Sequence, residues 1–416
     1  MLLIGAALLL GVRSSSAAGP GGEPGPVAVP EPSPKAIRFY ESGIRVWFFA
    51  RAWGVAVPAV LLFSGISARI RRLAEGRGRP WPVVVTLYGV VFLAIEYVIN
   101  FPWRYYVGFV RLHEYGLSIE SFGHWLGDSL KGLAIEAVGV GLLLWIPYLL
   151  MARSPRRWWL YTGLLTFPFA AASAFLAPVV IDPLFHDFGP MKDKRLEARI
   201  GALARRAGID DARIFEVDRS RETTTVNAYV TGLAGTKRIV LWDTLVKKLE
   251  GDEVLVVMGH EMGHYVLNHV AQVLALSSVG TIFALFLIHH AAGWLIRRYH
   301  DRFGFDRLSD VASVPLILLL AQVTILLGAP VILGFGRHLE HEADRFALEI
   351  TRANRVAASG FAKLQRDNLS YPYPGRLSVL WRSSHPPIGE RIDFCNRYRP
   401  WESGRPSRYG SLFRTP

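Results

Sequence analysis

The chain of 416 residues is 51% hydrophobic and carries a formal net charge of +13, and this hydrophobic content is high for a soluble enzyme. Its single cysteine, Cys395, excludes an intrachain disulfide, a cysteine-based metal site and a dithiol redox motif. The positive charge would suit nucleic acid, but the basic residues cluster in short loops beside apolar segments. Because this is a membrane pattern, we expect a lipid bilayer as partner and no nucleic acid.

Residues 1–45 are predicted to form a leader or a short first span, followed by a linker. Residues 1–11 are apolar and lack a basic start, and residues 19–34 are rich in Pro and Gly. The apolar run is short for a membrane span, and a signal peptide usually begins with positive charge, so both interpretations stay open. We expect the linker to be flexible or polyproline-like.

Six segments are predicted to cross the membrane. They are residues 52–68, 81–100, 132–152, 158–181, 270–296 and 311–336. The last three contain no Asp, Glu, Lys or Arg, and each can span about 30 Å of hydrocarbon. The first four would form an N-terminal membrane domain over residues 46–181. Glu96 and Glu136 lie inside the second and third segments, where they either face a polar interior or reach the interface.

Residues 182–268 are polar and read as mixed α/β structure. A helix is predicted over residues 192–207 and strands over residues 212–217, 225–230 and 238–242, with Gly232 and Gly235 in the turn between the last two. Asp243 is expected to cap a helix that runs through Leu249, and Asp252 to open the next helix.

That next helix carries the motif His260-Glu-Met-Gly-His264. Residues four apart lie on one face of a helix, so two imidazole nitrogens can reach one zinc ion. Zinc lowers the pKa of water to about 7, and Glu261, beside the first ligand, can then take the proton as general base. The small and apolar neighbours of the motif favour a buried metal site over a chance match on a surface helix.

The third metal ligand is expected after the last span. The fifth and sixth spans form a hairpin, so the stretch Arg337-His-Leu-Glu-His-Glu-Ala-Asp344 returns to the side of His260. Glu340 can complete the site, but spacing alone does not choose it over Glu342, His338 or His341. Asp344 could accept a hydrogen bond from a ligand imidazole and fix its tautomer.

These motifs together resemble those of the type I CAAX prenyl proteases, which are integral-membrane zinc metalloproteases. The family pattern Arg-x-x-Glu-x-x-Ala-Asp matches Arg337, Glu340, Ala343 and Asp344. The resemblance implies that Glu340 is the third zinc ligand and that Asp344 is a supporting or proton-donating acid. It also covers Glu114-Tyr-Gly116, Pro183-Leu-Phe185, Asn227-Ala-Tyr229, the stretch from Arg238 to Leu245, and His385-Pro-Pro-x-x-x-Arg391.

Two of these matched elements suggest further roles. Asn227 would begin an edge strand that pairs with an extended substrate backbone, unless it belongs to an ordinary sheet strand. His385 and Arg391 could stabilise the oxyanion, although the prolines also suit a helix start at which Arg391 forms a pair. The chain departs from the family in having six predicted spans instead of seven, and Gly336 where the family has Ser.

The predicted fold is mainly α, a multi-pass transmembrane helical bundle with a small mixed α/β, gluzincin-like catalytic region. That region covers residues 182–398, including two spans, and residues 399–416 are expected to be a loose tail. The predicted function is a zinc metalloendopeptidase that binds one Zn²⁺ and acts on a peptide or protein, and whether this substrate is lipidated or membrane-associated stays open. The alternatives are a heat-shock-type quality-control protease and a non-catalytic zinc-binding membrane module.

The orientation in the membrane is left open by two conflicting indications. Basic loops follow the first, third and fifth spans. The positive-inside rule makes these loops cytoplasmic and places the metal site on the outer side. The family resemblance implies a cytosolic metal site instead.

Overall fold

A computed structural model describes residues 25–210, 212–231 and 238–414. The predicted apolar leader at residues 1–11 and the turn at Gly232 and Gly235 lie outside the described residues. The helices are α1 Pro34–Phe63, α2 Ile66–Glu75, α3 Trp81–Tyr105, α4 Arg111–Glu114, α5 Phe122–Leu143, α6 Trp145–Arg153, α7 Trp158–Val180, α8 Lys194–Arg206, α9 Asp243–Lys248, α10 Gly251–Val266, α11 His269–Phe303, α12 Val314–Thr351, α13 Asn354–Asp367, α14 Arg376–Arg382 and α15 Ile388–Arg397. The strands are β1 Phe188–Pro190, β2 Arg213–Val217, β3 Ala228–Thr231 and β4 Arg238–Trp242. The mainly α fold with a small mixed sheet is therefore confirmed.

Within the described residues, six helical segments are long and apolar enough to span a membrane. They are Pro34–Phe63, Trp81–Glu114, Phe122–Arg153, Trp158–Leu184, His269–Phe303 and Val311–Thr351. Four precede the sheet and two follow it, as predicted. The first lies earlier than the predicted residues 52–68, because Gly65 adopts a left-handed conformation with φ 71° and the basic residues after it form the separate helix α2.

The spans run alternately up and down, which separates two ends of the molecule. At one end, α2 meets the start of α12: the Ser67 hydroxyl donates to the Ala312 carbonyl at 2.6 Å, and Arg71 pairs with Asp310. All three basic loops lie at this end. The sheet lies at the other end, where the bridge between Ser118 and Thr223 ties the loop after α4 to the catalytic region. The three basic loops and the predicted metal site are therefore at opposite ends.

The sheet has the strand order β1-β2-β4-β3. Strands β2 and β4 are parallel, whereas β3 runs antiparallel to β4 and pairs Ala228 with Leu241. Strand β3 begins later than predicted, because the Thr225 amide donates to the Thr223 hydroxyl at 3.1 Å and holds a local turn. The order of strands leaves β3 at an edge of the sheet, next to α10.

The two predicted helix caps were wrong in detail. The Asp243 carboxylate accepts the amides of Arg219 and Ser220 at 2.9 and 2.8 Å, so it fixes the preceding loop and does not cap α9. Helix α10 begins at Gly251 with a capping box between Glu250 and Glu253. Asp252 pairs with Arg199 instead.

The tail, predicted to be loose, and the linker, predicted to be flexible or polyproline-like, both make specific contacts where the structure describes them. In the tail, the Arg408 and Tyr409 amides donate to the buried Glu349 carboxylate at 2.9 and 2.7 Å. In the linker, the Val27 amide donates to Asn396 Oδ1 at 3.0 Å. Both predictions rested on polar and Pro/Gly-rich composition. Composition does not reveal that a buried carboxylate or side-chain amide elsewhere in the chain accepts hydrogen bonds from the backbone amides of these segments.

Candidate metal centre

The predicted metal ligands meet where α10 packs against α12. The glycines of the His-Glu-x-x-His stretch make this close approach possible. A Cβ added to Gly263 would lie 3.2 Å from Ala343 Cα, and one added to Gly259 would lie 3.3 Å from Ala347 Cα. Larger side chains at these two positions would push the helices apart. The sequence therefore sets the distance between the two halves of the site.

His260, His264 and Glu340 converge on one point. The Nε2 atoms of His260 and His264 are 3.1 Å apart. Glu340 Oε2 lies 3.3 Å from His260 Nε2, and Glu340 Oε1 lies 3.4 Å from His264 Nε2. Within the described part of the chain, the group of Glu120, His124 and Asp128 is also spaced to hold a metal ion, but it is more exposed.

The protonation pattern shows that the three residues fit a cation. His260 Nδ1 lies 2.8 Å from Asp344 Oδ1, and because a carboxylate only accepts, the proton of neutral His260 sits on Nδ1. His260 Nε2 then presents a lone pair toward His264 and Glu340. Glu340 Oε2 is buried without a hydrogen-bond partner. Two imidazoles and a carboxylate facing one another form a ligand set that suits one metal ion.

A buried ion pair lies on the far side of His260. Arg391 donates from Nε to Asp344 Oδ2 at 2.9 Å and from Nη2 to Asp344 Oδ1 at 2.6 Å. Asp344 is 2% exposed, and the Arg391 guanidinium lies 4.1 Å from the Phe361 ring centroid. Arg391 thus faces the Nδ1 edge of His260 and is engaged with Asp344, which is the pairing alternative raised from the sequence. Arg391 therefore fixes the position of the Asp344 carboxylate, which in turn contacts His260, the predicted metal ligand.

The remaining candidates line a cavity of about 550 Å³ next to His260, which we call the site cavity. Glu261 lies in its wall, and burial raises the pKa of this carboxyl, which suits a group that must take up a proton near neutral pH. His385 also lines it, with Nε2 3.3 Å from Glu340 Oε1. Asn227 is exposed at the start of the edge strand β3 and faces the same cavity.

The alternative ligands point elsewhere. Glu342 accepts from the Tyr409 hydroxyl at 2.9 Å and pairs with Arg408 at 3.0 Å. His341 packs its ring 4.3 Å from that of Phe394. Because each residue of a helix is rotated by about 100° from the next, Glu340 and Asp344 lie on the face of α12 that meets α10, whereas Glu342 and His341 do not.

Sequence reasoning missed His269. It is 2% exposed, and its Nδ1 lies 2.9 Å from His264 Nδ1. When His264 Nδ1 carries the proton and donates it to His269 Nδ1, the lone pair of His264 Nε2 faces His260 and Glu340. This contact needs the chain to reverse at Asn268, which adopts a φ of 56°. The only sequence indication was a histidine directly before an apolar span.

Replacement of Asp344 by Asn should weaken metal binding without removing a ligand. The amide cannot neutralise Arg391 and does not enforce the Nδ1–H tautomer of His260, so we expect zinc affinity to fall about 10- to 100-fold. Competition with a chromophoric chelator measures this change. Glu349→Gln is the control, since Glu349 is an equally buried acid of α12 that binds Tyr398 and the tail and none of the predicted metal ligands. Equal zinc affinity in the wild type and Asp344→Asn would contradict the positioning role.

Two family models match this chain in succession. Residues 190–398 match peptidase family M48. Residues 38–187 match the CAAX prenyl protease N-terminal domain, described as five membrane helices. Within residues 38–187 the structure has four long apolar helices and the short basic helix α2.

Relatives of known sequence and structure resemble the chain over most of its length. It is 34% identical to the uncharacterized metalloprotease YhfN of Bacillus subtilis, over 89% of this chain and 88% of that protein. It is 31% identical to the CAAX prenyl protease 1 homolog of Dictyostelium discoideum, over 77% and 75% of the two chains. The crystal structure of S. mikatae Ste24p aligns with a TM-score of 0.77 at 24% identity and covers 88% of both chains. The last comparison supports the fold.

Proposed function

The chain belongs to peptidase family M48 and is a multi-pass integral membrane metalloprotease, and on this basis we propose that its metal is one zinc ion held by His260, His264 and Glu340. The observation that carries the proposal is the convergence of His260 Nε2, His264 Nε2 and the Glu340 carboxylate on one point beside Glu261. Structural zinc sites are usually closed by four protein ligands. Three ligands next to a cavity leave room for substrate and water.

The residues around this point have separable tasks. When bound, zinc would supply a Lewis acid that polarises the substrate carbonyl and lowers the pKa of water to about 7. Glu261 takes the proton of the attacking water and returns it to the leaving amine. His385 lies on the open side of Glu340, where its imidazole can donate to the developing oxyanion. Asp344 and Arg391 hold His260 in place.

Strand β3 supplies the substrate-binding edge in this proposal. It ends the sheet beside α10, and Asn227 and Ala228 at its start line the site cavity. An extended peptide can add to such an edge through main-chain hydrogen bonds, which select backbone shape with little dependence on sequence. The peptide would then pass His260 and Glu261 in an extended conformation.

For the substrate we propose a prenylated C-terminal Cys-a-a-X tail. Support comes from relatives named CAAX prenyl protease 1, including the Saccharomyces cerevisiae protein at 28% identity over 72% of this chain, and from the N-terminal membrane domain shared with them. In such a tail the lipid is attached to the Cys, and the residues after it are removed.

Metal content and cleavage of a matched peptide pair test the proposal. Detergent-purified protein should contain about one zinc per chain. It should cleave a farnesylated Cys-a-a-X peptide at least about tenfold more efficiently than the unprenylated twin, because the lipid adds apolar contact area. Comparable turnover of both peptides, or cleavage confined to unmodified membrane proteins, would indicate quality-control proteolysis instead. Protein without zinc would overturn the metal assignment.

A further inference from the structure

A second cavity, of about 570 Å³, lies between α1 and the segment that joins α13 to α15. Phe39, Tyr40, Val46 and Trp47 of α1 form one wall, and Arg111 and Arg382 also line it. It adjoins the site cavity, since both are lined by Asn368, Ser370, Tyr371, Pro374, Arg382 and Ser383. A molecule bound at the metal centre can therefore extend into the second cavity.

Arg111 and Arg382 direct their guanidinium groups at the same part of α1. A Cβ added to Gly43 would lie 3.3 Å from Arg382 Nη2 and 3.4 Å from Arg111 Nη2. The absence of a side chain at Gly43 lets both groups lie against the helix. Arg111 is only 7% exposed, and Arg382 is half-buried. Two positive charges are thus held close together at the cavity wall.

Neither arginine has a carboxylate partner within 4 Å among the residues that the structure describes. Arg111 Nη2 donates to the Phe39 carbonyl at 2.8 Å and to the Ser42 hydroxyl at 3.2 Å, while its Nε is buried with no partner. Arg382 Nη1 donates to the Ser378 hydroxyl at 2.9 Å. Buried charges of like sign without a counter-ion are costly, so this pair is suited to bind an anion.

The surroundings indicate an anion that carries an apolar group. The Arg111 guanidinium lies 4.0 Å from the Phe39 ring centroid, and that of Arg382 lies 5.6 Å from the Tyr40 ring centroid. Tyr40 in turn stacks on Tyr371 at 4.6 Å. A planar carboxylate can bind a guanidinium in a bidentate manner, while an apolar side chain next to it packs on the aromatic wall.

Arg382 lies close to the metal centre along the chain. Arg382 precedes His385 by three residues, so their Cα atoms are at most about 11 Å apart. His385 Nε2 lies 3.3 Å from Glu340 Oε1, within the metal centre. A peptide bound at the metal centre can therefore reach Arg382 through the part of the wall that the two cavities share.

We propose that Arg111 and Arg382 bind the free C-terminal carboxylate of the peptide substrate, with its last side chain in the aromatic cavity. This inference rests on the proposed function and assigns two residues to recognition of the free chain end.

Two farnesylated peptides that differ only at the C-terminus, one a free acid and one an amide, test the proposal. We expect wild-type kcat/KM to be about 10- to 100-fold higher for the acid, mainly through KM, since hydrogen bonds between charged groups are lost in the amide. In Arg382→Gln this ratio should fall to within about threefold of unity. Arg382→Lys should restore part of it, because it keeps the charge but not the bidentate geometry.

Arg376→Gln is the matched control. Arg376 is an exposed arginine of the same short helix, and its replacement removes the same charge away from the cavity. It should keep the wild-type preference for the acid. Equal use of acid and amide by the wild type, or a preference that Arg382→Gln leaves intact, would overturn the proposal.

Peptide binding to Glu261→Gln separates this proposal from the proposed function. Anisotropy of labelled acid and amide peptides should show tighter binding of the acid. If both peptides bind equally, only the carboxylate site fails. If neither peptide binds to this variant and the wild type cleaves neither, the proposed substrate fails as well. A phospholipid that copurifies with the wild type but not with Arg382→Gln, together with an unchanged acid preference, would assign the arginines to a lipid phosphate and overturn the proposal.

Discussion

Replacement of Glu261 by Gln should abolish peptide cleavage while zinc stays bound. Glu261 is not one of the three converging ligands, so its loss leaves His260, His264 and Glu340 in place. Gln has nearly the same shape as Glu but cannot accept a proton from water. General acid–base catalysis contributes about 10²- to 10⁴-fold, and Glu261 serves both proton transfers in the proposed reaction, so we expect kcat to fall by at least about 10³-fold.

The measurement is cleavage of the farnesylated peptide beside zinc content by mass spectrometry of the same preparation. Glu250→Gln provides the control, because the Glu250 side chain is exposed at the start of the same helix and its exchange is chemically identical. This variant should keep wild-type turnover. Retained turnover in Glu261→Gln would exclude Glu261 as the general base, whereas loss of zinc from that variant would show that Glu261 also supports the metal.

The second large effect is expected from Glu340→Ala. Removal of a direct ligand should lower zinc affinity by more than about 100-fold, since removal of a residue that only supports a ligand already costs about 10- to 100-fold. Activity should be lost at low zinc concentration. Chelation should inactivate the wild type reversibly, and added zinc should restore it.

Glu342→Ala is the decisive comparison for that variant. Glu342 is two residues from Glu340 in sequence, but its carboxylate faces Tyr409, Arg408 and His269 Nε2 and not the converging ligand atoms. It should lose some thermal stability through these contacts and keep its zinc. If the Glu342 variant lost zinc and the Glu340 variant kept it, Glu342 would be the third zinc ligand and Glu340 would not. Circular dichroism of each variant checks that the helices remain folded.

Sequence alone was sufficient for features fixed within one element. Six spans were predicted because a helix in hydrocarbon needs about 20 apolar residues, and the structure contains six within its described residues. The pairing of His260 with His264 follows from the helical period. The strand at residues 238–242 was predicted with the bounds that the structure shows.

The tertiary structure decided how elements distant in the chain meet. Residue spacing could not separate Glu340 from Glu342, and only the family resemblance favoured Glu340; the rotation of α12 against α10 places Glu340 at the histidines. The same packing assigned Arg391 to Asp344 and brought His269 to His264 across the reversal at Asn268. It also docked a tail that composition predicted to be loose.

The physical reason is the range of the interactions involved. Hydrophobic periodicity and the repeat of a helix act between residues a few positions apart, so a sequence displays them directly. The guanidinium groups of Arg111 and Arg382 meet at Gly43, and this contact brings together α4, α14 and α1. These helices are separated by up to several hundred residues in the chain. Such a contact depends on the orientation of each helix about its axis and on the size of every side chain between them. The sequence by itself therefore determined the class of protein and the core of its metal motif, and the packing decided which side chains surround it.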